Sequence, residues 1–257
     1  MERRPAGPPA RRQHVTSVEV DPGVAEAARR ALRAAGQSPR VVTGDGMRGV
    51  PDAAPFDRIL ATVGLRKIPS AWPAQVTPGG LIVAPWGTHY SNRDALVRLT
   101  VTGDGTAAGA FLRPLEFMKV RAQRLARPIM RTGPGAPVTD STAPGPLPPE
   151  GTWHPFPFVA GLRIPRATHA VQRHEDGTTL WLYDLDGSAW ASATHRTGDS
   201  AVRVRQVGRR RLWDELTAAH TWWTAHGAPG YQRLGLTVTP ESTRAWLDTP
   251  DHSWPVG

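Results

Sequence analysis

The sequence contains no cysteine among its 257 residues, which excludes disulfides, thiolate metal sites and a cysteine nucleophile. Lysine is also rare: only Lys67 and Lys119 occur among 31 basic residues, so the net charge of +9 comes mainly from arginine. No apolar run approaches the roughly 18 residues of a membrane span, and the arginine- and proline-rich start lacks the apolar core of a signal peptide. We therefore predict a cytoplasmic protein without a membrane partner.

Composition divides the chain into four parts. Residues 1–14 are of low complexity and are predicted to be disordered, because they offer too little apolar surface to offset the entropy of ordering. Residues 15–130 alternate strands with short helices, and residues 131–152 are rich in proline, glycine, serine and threonine, which predicts a linker. Residues 153–257 hold eight of the ten tryptophans and predict a small α+β module.

The first of the two folded parts is predicted to be of the α/β class. Its strands are VTSVEV, PRVVTGD, FDRILATVG and GGLIVAPWG, and the helix PGVAEAARRALRAAG has apolar residues at helical spacing and a final glycine. Two further strands, ALVRLTVTGDG and AFLRPLEFMKV, follow. Strands that alternate with helical connections predict a largely parallel sheet with its ligand at the carboxyl ends of the strands.

The α+β module contains three local patterns. TTLWLYDLDGSAWASATH predicts a hairpin with Asp186-Gly187 in its turn, and LGLTVTPESTRAWLD predicts a second hairpin around Pro240. Between them lie the strand AVRVRQV and the amphipathic helix RRLWDELTAAHTWWTAHG.

Glu19 is the best-placed acid of the α/β part. It ends an apolar strand and precedes a helix, where a carboxylate can accept hydrogen bonds from both hydroxyls of a ribose. An acid near a helix N-terminus is equally explained by its attraction to the helix dipole. Position alone leaves both interpretations open.

Asp45 is the second candidate, because Gly44 and Gly46 flank it directly after a strand. Its carboxylate could accept a hydrogen bond from an adenine amino group, while a glycine lets the backbone approach the ring closely. The alternative is an ordinary turn. Gly103-Asp104-Gly105 illustrates that alternative, since it fits a hairpin between two strands.

Other kinds of site find little support. The pairs His169 and His174, and His220 and His226, lack the i, i+4 spacing of helical zinc ligands, so no metal is expected. No G-x-S-x-G motif provides a serine nucleophile. The densest basic run, between 203 and 211, adjoins a helix and is predicted to be a solvated face, so no nucleic-acid partner is expected.

In order along the chain, VTSVEVDP, VVTGDGMRGVPDAAPFDRILAT, KIP and TPGGLIVAPWG resemble the protein-L-isoaspartate O-methyltransferase family of class I S-adenosylmethionine-dependent methyltransferases. The resemblance spans Val15 to Arg124. It implies that S-adenosyl-L-methionine is the cofactor, that Glu19 binds the ribose hydroxyls, and that Asp45 and Gly46 bind the adenine edge. Thr62 would lie near the methionine end. The implied partner is a peptide or protein with an aspartyl or isoaspartyl carboxylate; no catalytic residue is assigned, and the oligomeric state is left open.

In that family a first strand and a glycine-rich turn precede the part that this chain resembles. We therefore expect an incomplete Rossmann-like sheet, an N-terminally truncated form and weak cofactor binding. The C-terminal part, from LWDELTAAH onward, resembles the extension of actinobacterial methyltransferases from ATP-grasp and lanthipeptide maturation systems. That resemblance implies a precursor peptide as substrate. The competing interpretation is an inactive remnant that acts as a peptide-binding or scaffold protein.

Overall fold

The computed structural model describes residues 15–124, 130–133, 135–151 and 153–256. The segment 1–14, predicted to be disordered, lies outside the described residues. The chain forms two compact units, one up to Phe56 and the other from Asp57 onward, and each is described by itself. Within the described residues, no helix is long and apolar enough to cross a membrane.

The first unit is a parallel strand pair with one helix. It consists of β1 (Thr16–Glu19), α1 (Pro22–Ala34) and β2 (Arg40–Thr43), and Glu19 pairs with Thr43. The Asp21 carboxylate begins α1 by accepting from the backbone N–H groups of Gly23 at 2.9 Å and Val24 at 3.1 Å, as helix-capping residues do.

The helix α1 is tied to β2 by one arginine. Arg29 Nη2 donates to the Val41 carbonyl and to Thr43 Oγ1, each at 2.9 Å. Two short 3₁₀ helices, Gly46–Arg48 and Pro51–Ala53, follow β2. The predicted strand, helix and strand are thus confirmed.

The second unit carries the remaining elements. They are β3 (Phe56–Leu60), which begins at the unit boundary, α2 (Ala71–Ala74), β4 (Val76–Trp86), β5 (Asp94–Val101), β6 (Ala107–Leu115), β7 (Val138–Pro144), α3 (Phe156–Arg163), β8 (Ala167–His174), β9 (Gly177–Asp184), β10 (Trp190–Arg196), β11 (Ala201–Val207), α4 (Leu212–Ala225), β12 (Leu234–Val238), β13 (Thr243–Leu247) and β14 (Ser253–Pro255). The predicted α/β class is confirmed, with mixed sheets and few helices.

One sheet of the second unit has seven strands in the order β14-β13-β12-β6-β5-β4-β3. From β4 to β14 every neighbouring pair is antiparallel. The prediction of a largely parallel sheet is therefore wrong for this sheet. The reason is that short turns, such as that at Gly103-Asp104-Gly105, join β5 to β6 and β12 to β13, and a short turn reverses the chain.

The strands β1 and β3 lie in different sheets. β1 pairs with β2 alone, and β3 is an edge strand of the seven-stranded sheet. The sequence analysis expects an incomplete Rossmann-like sheet. In the described part of the chain, both end their sheets.

A second sheet has five strands in the order β7-β11-β10-β9-β8, with antiparallel neighbours. The predicted hairpin around Asp186-Gly187 is confirmed by the pairing of β9 with β10. The predicted linker, in contrast, contains β7, whose pairing runs from Ala201 opposite Pro144 to Val207 opposite Val138. β7 was missed because its composition is typical of a loop and its partner β11 is far away in sequence.

The helices of the second unit supply much of its core. α3, which the sequence analysis missed, is buried from Phe156 to Leu162, so it has no polar face for a periodicity to reveal. The predicted helix α4 is confirmed and buries Leu212, Trp213, Leu216, Ala219 and Trp223. Several tryptophans are therefore core residues.

The boundary between a methyltransferase part and a separate C-terminal module stays a prediction. β12 pairs with β6 in the register of Gly235 opposite Ala110, so strands from both predicted parts share one sheet. Such pairing has no local sequence signature, because it joins residues that are far apart along the chain.

Gly109 lies in β6 against the backbone of the neighbouring strand β5. A Cβ atom there would lie 1.9 Å from the Arg98 carbonyl oxygen, which belongs to the neighbouring backbone and cannot rotate away. We predict that Gly109→Ala lowers the free energy of unfolding by about 1–3 kcal/mol, the usual cost of overpacking. Urea unfolding measures it. Gly133→Ala is the matched control, since nothing lies within 4 Å of its added Cβ, and an equal loss in both variants would contradict the prediction.

Candidate functional site

The first unit brings two of the predicted site residues to one edge. Glu19 is the last residue of β1, and Asp45 follows β2 by two residues. Because β1 and β2 are parallel and Glu19 pairs with Thr43, both carboxylates lie at the carboxyl ends of adjacent strands. This is the edge where α/β proteins bind ligands.

Each carboxylate has one oxygen engaged in a local turn. Glu19 Oε1 accepts from the Asp21 N–H at 2.9 Å, and Asp45 Oδ1 accepts from the Met47 N–H at 2.9 Å, where it caps a 3₁₀ helix. Glu19 is half-buried and Asp45 exposed. Within the described residues nothing donates to Glu19 Oε2 or Asp45 Oδ2, so one acceptor oxygen of each carboxylate remains available to a ligand.

Gly46 leaves open space beside Asp45. The nearest atom to a Cβ built there is Val18 Cγ1 at 4.0 Å. A flat group could therefore approach this backbone. Thr62 is exposed and belongs to the second unit, in the segment that follows β3. Glu19, Asp45 and Gly46 therefore belong to the first unit, and Thr62 belongs to the second.

The second unit contains an open cleft of about 1060 Å³ that the sequence analysis missed. Its lining comes mainly from the segment after β4, the segment after β6 and the strand β8, and Arg66 and Glu150 add to it from the segments after β3 and β7. The polar residues among its lining are Arg66, His89, Tyr90, Ser91, Asn92, Arg93, Glu116, Lys119, Arg124, Glu150, Thr168, His169 and Arg173.

A buried ion pair forms part of this region. Lys119 Nζ contacts Asp94 Oδ2, and the Asp94 side chain is fully buried. Burial raises the pKa of the Asp94 carboxyl against the opposing pull of Lys119, and burial lowers the pKa of the Lys119 ammonium against the opposing pull of Asp94. Gly87 leaves room for this carboxylate, because a Cβ there would lie 2.0 Å from Asp94 Oδ1.

His169, on β8, contacts Tyr90 from the segment after β4 and Glu150 from the segment after β7. Its ring stacks on Tyr90 with the centroids 4.3 Å apart, and its Nδ1 lies 2.7 Å from the Tyr90 carbonyl oxygen. Its Nε2 lies 3.2 Å from Glu150 Oε2. Burial, reinforced by Glu150, raises the pKa of the Tyr90 hydroxyl well above its usual value, so this hydroxyl keeps its proton at neutral pH.

Arg66 is fixed in the cleft by backbone oxygens. Its Nε donates to the Gln123 carbonyl at 3.1 Å, and its Nη1 contacts the Thr88 carbonyl. Burial lowers the pKa of the Arg66 guanidinium, and the Asp94 charge opposes that shift. The same burial effect, followed by repulsion from Arg66 and Arg166, lowers the pKa of His89 to about 4, so His89 is neutral at pH 7.

The cleft residues were missed because they are scattered along the sequence. One compositional feature pointed toward them, since Lys119 is one of only two lysines in an arginine-rich chain.

Several other arginines and tryptophans of the second unit make contacts within the protein. Arg163 lies 4.6 Å above the Trp222 ring and 4.9 Å from that of Trp254. Arg205 forms a bidentate pair with Asp140 at 2.8 and 2.9 Å. These contacts stabilise the second unit.

No group of three histidine, cysteine, aspartate or glutamate side chains in the described part of the chain could hold a metal ion. The expected absence of a metal stays a prediction.

Comparison with known proteins finds relatives of the part of the chain that contains Glu19 and Asp45. Residues 10–124 match the family model of protein-L-isoaspartate(D-aspartate) O-methyltransferase. This part of the chain is protein-L-isoaspartate O-methyltransferase-like. The methyltransferase-like segment is 39% identical over 107 residues to the protein-L-isoaspartate O-methyltransferase of Hyperthermus butylicus, a match that covers 41% of this chain and 44% of that protein.

A second relative matches the methyltransferase-like segment over nearly the same number of residues. Protein-L-isoaspartate O-methyltransferase 1 of an Anaeromyxobacter species is 38% identical over 106 residues, which are 40% of this chain and 50% of that protein. The chain thus spans about half or less of the length of these relatives. A solved protein-L-isoaspartate O-methyltransferase aligns with a TM-score of 0.47 and 20% identity, covering 91% of this chain and 68% of that one.

The buried pair Asp94–Lys119 predicts strong coupling between two substitutions. Lys119→Met leaves a fully buried carboxylate without its cation, and we expect it to lower the free energy of unfolding by about 3–5 kcal/mol. The double variant Asp94→Val, Lys119→Met removes both charges and should lose less than the sum of the single variants, as measured by urea unfolding. Additive losses would show that the two charges do not depend on each other.

His89 predicts a pH dependence of stability. Its pKa falls from 6.5 to about 4 on folding, so the unfolded chain takes up the proton first as the pH drops. The stability gained from a neutral His89 is complete above pH 6.5 and is lost as the pH falls toward 4. We expect His89→Gln to be less sensitive to pH in this window, as measured by urea unfolding at several pH values. Parallel pH curves for the two proteins would contradict this assignment.

Proposed function

We propose that this protein is a carboxyl methyltransferase of the isoaspartyl type, which transfers a methyl group from S-adenosyl-L-methionine to a side-chain carboxylate of a peptide or protein. The observation that carries the proposal is the pair of carboxylates, Glu19 and Asp45, at the carboxyl ends of adjacent parallel strands. The similarity of residues 10–124 to the family supports it.

The residues of the first unit fit the nucleoside part of the cofactor. Glu19 has one acceptor oxygen without a partner in the described structure and could bind ribose hydroxyls. Asp45 likewise has an available oxygen that could bind the adenine amino group, and Gly46 leaves space for the flat ring. Thr62 is the proposed contact at the methionine end.

The bound cofactor would supply an electrophilic methyl group on a sulfonium. The acceptor carboxylate is already ionised at neutral pH and needs no general base. The chain would contribute by holding the two reactants in line, and a well-oriented pair of reactants gains most of its acceleration from that alignment. This is consistent with a sequence that offers cofactor-binding acids and no assigned acid-base pair.

The proposed substrate is an aspartate of a ribosomally made precursor peptide, and the proposed compartment is the cytoplasm. The resemblance of the C-terminal part to methyltransferase extensions in peptide maturation systems supports the substrate. The second candidate function is peptide binding or scaffolding without catalysis. It is favoured by the cleft of the second unit, which needs no cofactor to hold a ligand.

We predict that S-adenosylhomocysteine binds this chain and that Glu19→Gln and Asp45→Asn each weaken binding. Both substitutions can keep the local turn bonds, because an amide oxygen still accepts from the Asp21 or Met47 N–H. Each removes a hydrogen bond to a charged group, worth about 1.5–3 kcal/mol, or roughly 10- to 150-fold in Kd. Isothermal titration calorimetry measures it.

The matched control is Asp52→Asn, which changes an exposed acid of the same unit. It should leave the Kd unchanged. Failure of the folded wild-type chain to bind S-adenosylhomocysteine would overturn the methyltransferase proposal and favour the binding or scaffold function.

A further inference from the structure

We propose that the cleft of the second unit is a docking site for an acidic peptide segment. It lies between the segment 89–93 after β4, the segment 116–119 after β6, and the strand β8. Along β8, His169, Val171 and Arg173 line the cleft from one face of the strand, and Thr168 lines it as well.

The cleft carries uncompensated positive charge. Arg93 is paired with Glu116, and Lys119 with Asp94. Arg66, Arg124 and Arg173 also line the cleft, and none of the three has a carboxylate partner among the residues that the structure describes. Three guanidinium groups on one concave surface attract an anionic ligand, and guanidinium groups bind carboxylates in a planar, two-point geometry.

Two of these guanidinium groups are held in place before any ligand arrives. Arg66 donates to the Gln123 and Thr88 carbonyls, and Arg124 Nε donates to the Lys119 carbonyl at 3.1 Å. Backbone oxygens position them without neutralising them, so their remaining N–H groups can donate to a ligand. Such preorganisation lowers the entropy that binding must otherwise lose.

The cleft also has features that favour a peptide over a nucleic acid. Phe117 and Met118 line it with exposed fractions of 47% and 81%, which gives apolar side chains of a peptide a contact surface. Glu116 stands on the same wall, and Glu150 Oε1 is buried with no hydrogen-bond partner in the described structure. Acidic groups repel a continuous phosphate chain, whereas the N–H groups of a peptide can donate to them.

The charge pattern therefore fits a segment in which carboxylates meet Arg66, Arg124 and Arg173, while apolar side chains meet Phe117 and Met118. This docking site is formed wholly within the second unit and requires neither Glu19 nor Asp45. The inference goes beyond the proposed methyl transfer and can hold if that transfer fails.

The test is fluorescence anisotropy of the full chain with a fluorescein-labelled octapeptide that alternates aspartate and leucine. We expect saturable binding that weakens with added salt and at least about tenfold weaker binding of the same peptide with asparagine for aspartate. Arg173→Glu should raise the Kd about tenfold, because it reverses an exposed charge on the cleft wall. Met118→Ala should weaken binding by a smaller factor through lost apolar contact.

Arg98→Glu is the matched control, since Arg98 is also an exposed strand arginine of the second unit and does not line the cleft. It should leave the peptide affinity unchanged, as should Glu19→Gln. Equal losses in Arg173→Glu and Arg98→Glu would overturn the proposal, because they would reflect net charge alone. Equal binding of the asparagine peptide would overturn it too. Tighter binding of an eight-residue uridine oligonucleotide, lost in Arg173→Glu, would replace it with a nucleic-acid site.

Discussion

The pairing of β6 with β12 is the contact on which the second unit depends. It joins β3 to β6 with β12 to β14 in one sheet, with Leu236 opposite Gly109 and Thr237 opposite Ala108. Without it, two rows of backbone N–H and C=O groups would lose their partners in a buried place, where Leu234 and Leu236 are fully covered. A chain whose parts look separable by composition is therefore connected through its hydrogen bonds.

Polar groups from both sheets of the second unit meet at the cleft. Lys119, which follows β6, and His169, which lies on β8, line it, and Asp94, which begins β5, pairs with Lys119. Burying the Asp94 carboxylate is costly unless a cation accompanies it, and Lys119 is that cation. Arg66, Arg124 and Arg173 have no carboxylate partner in the described part of the chain, which is why this wall of the protein keeps positive charge available.

Helices and hairpins were predictable from the sequence where residues close together in the chain determine them. The spacing of apolar residues predicted α1 and α4, and the turn residues predicted the hairpins β9–β10 and β12–β13. The helix α3 was missed because it is apolar on all sides, and β7 because its residues are typical of a loop. The joining of β6 to β12 depends on residues that are distant in sequence, which local patterns do not record.

The residues of the candidate site likewise fall into two groups, those that the sequence could suggest and those that only the folded chain reveals. Glu19 and Asp45 could be proposed from sequence, because each stands at a recognisable junction between a strand and a turn. Arg66, Tyr90, Glu150 and His169 could not, since each looks ordinary in its own segment and gains significance only through the contacts of the folded chain. The rare lysine at 119 was the one compositional sign of that cleft.

The distance along the chain between β6 and its partner has a consequence for synthesis in the cell. Gln232, directly before β12, donates to the Leu112 carbonyl from 120 positions away. At about 5–20 residues per second, roughly 6–24 seconds separate the emergence of these two residues from a ribosome. During that interval the side of β6 that will receive β12 is an unpaired strand edge, and such an edge is prone to pairing with other chains.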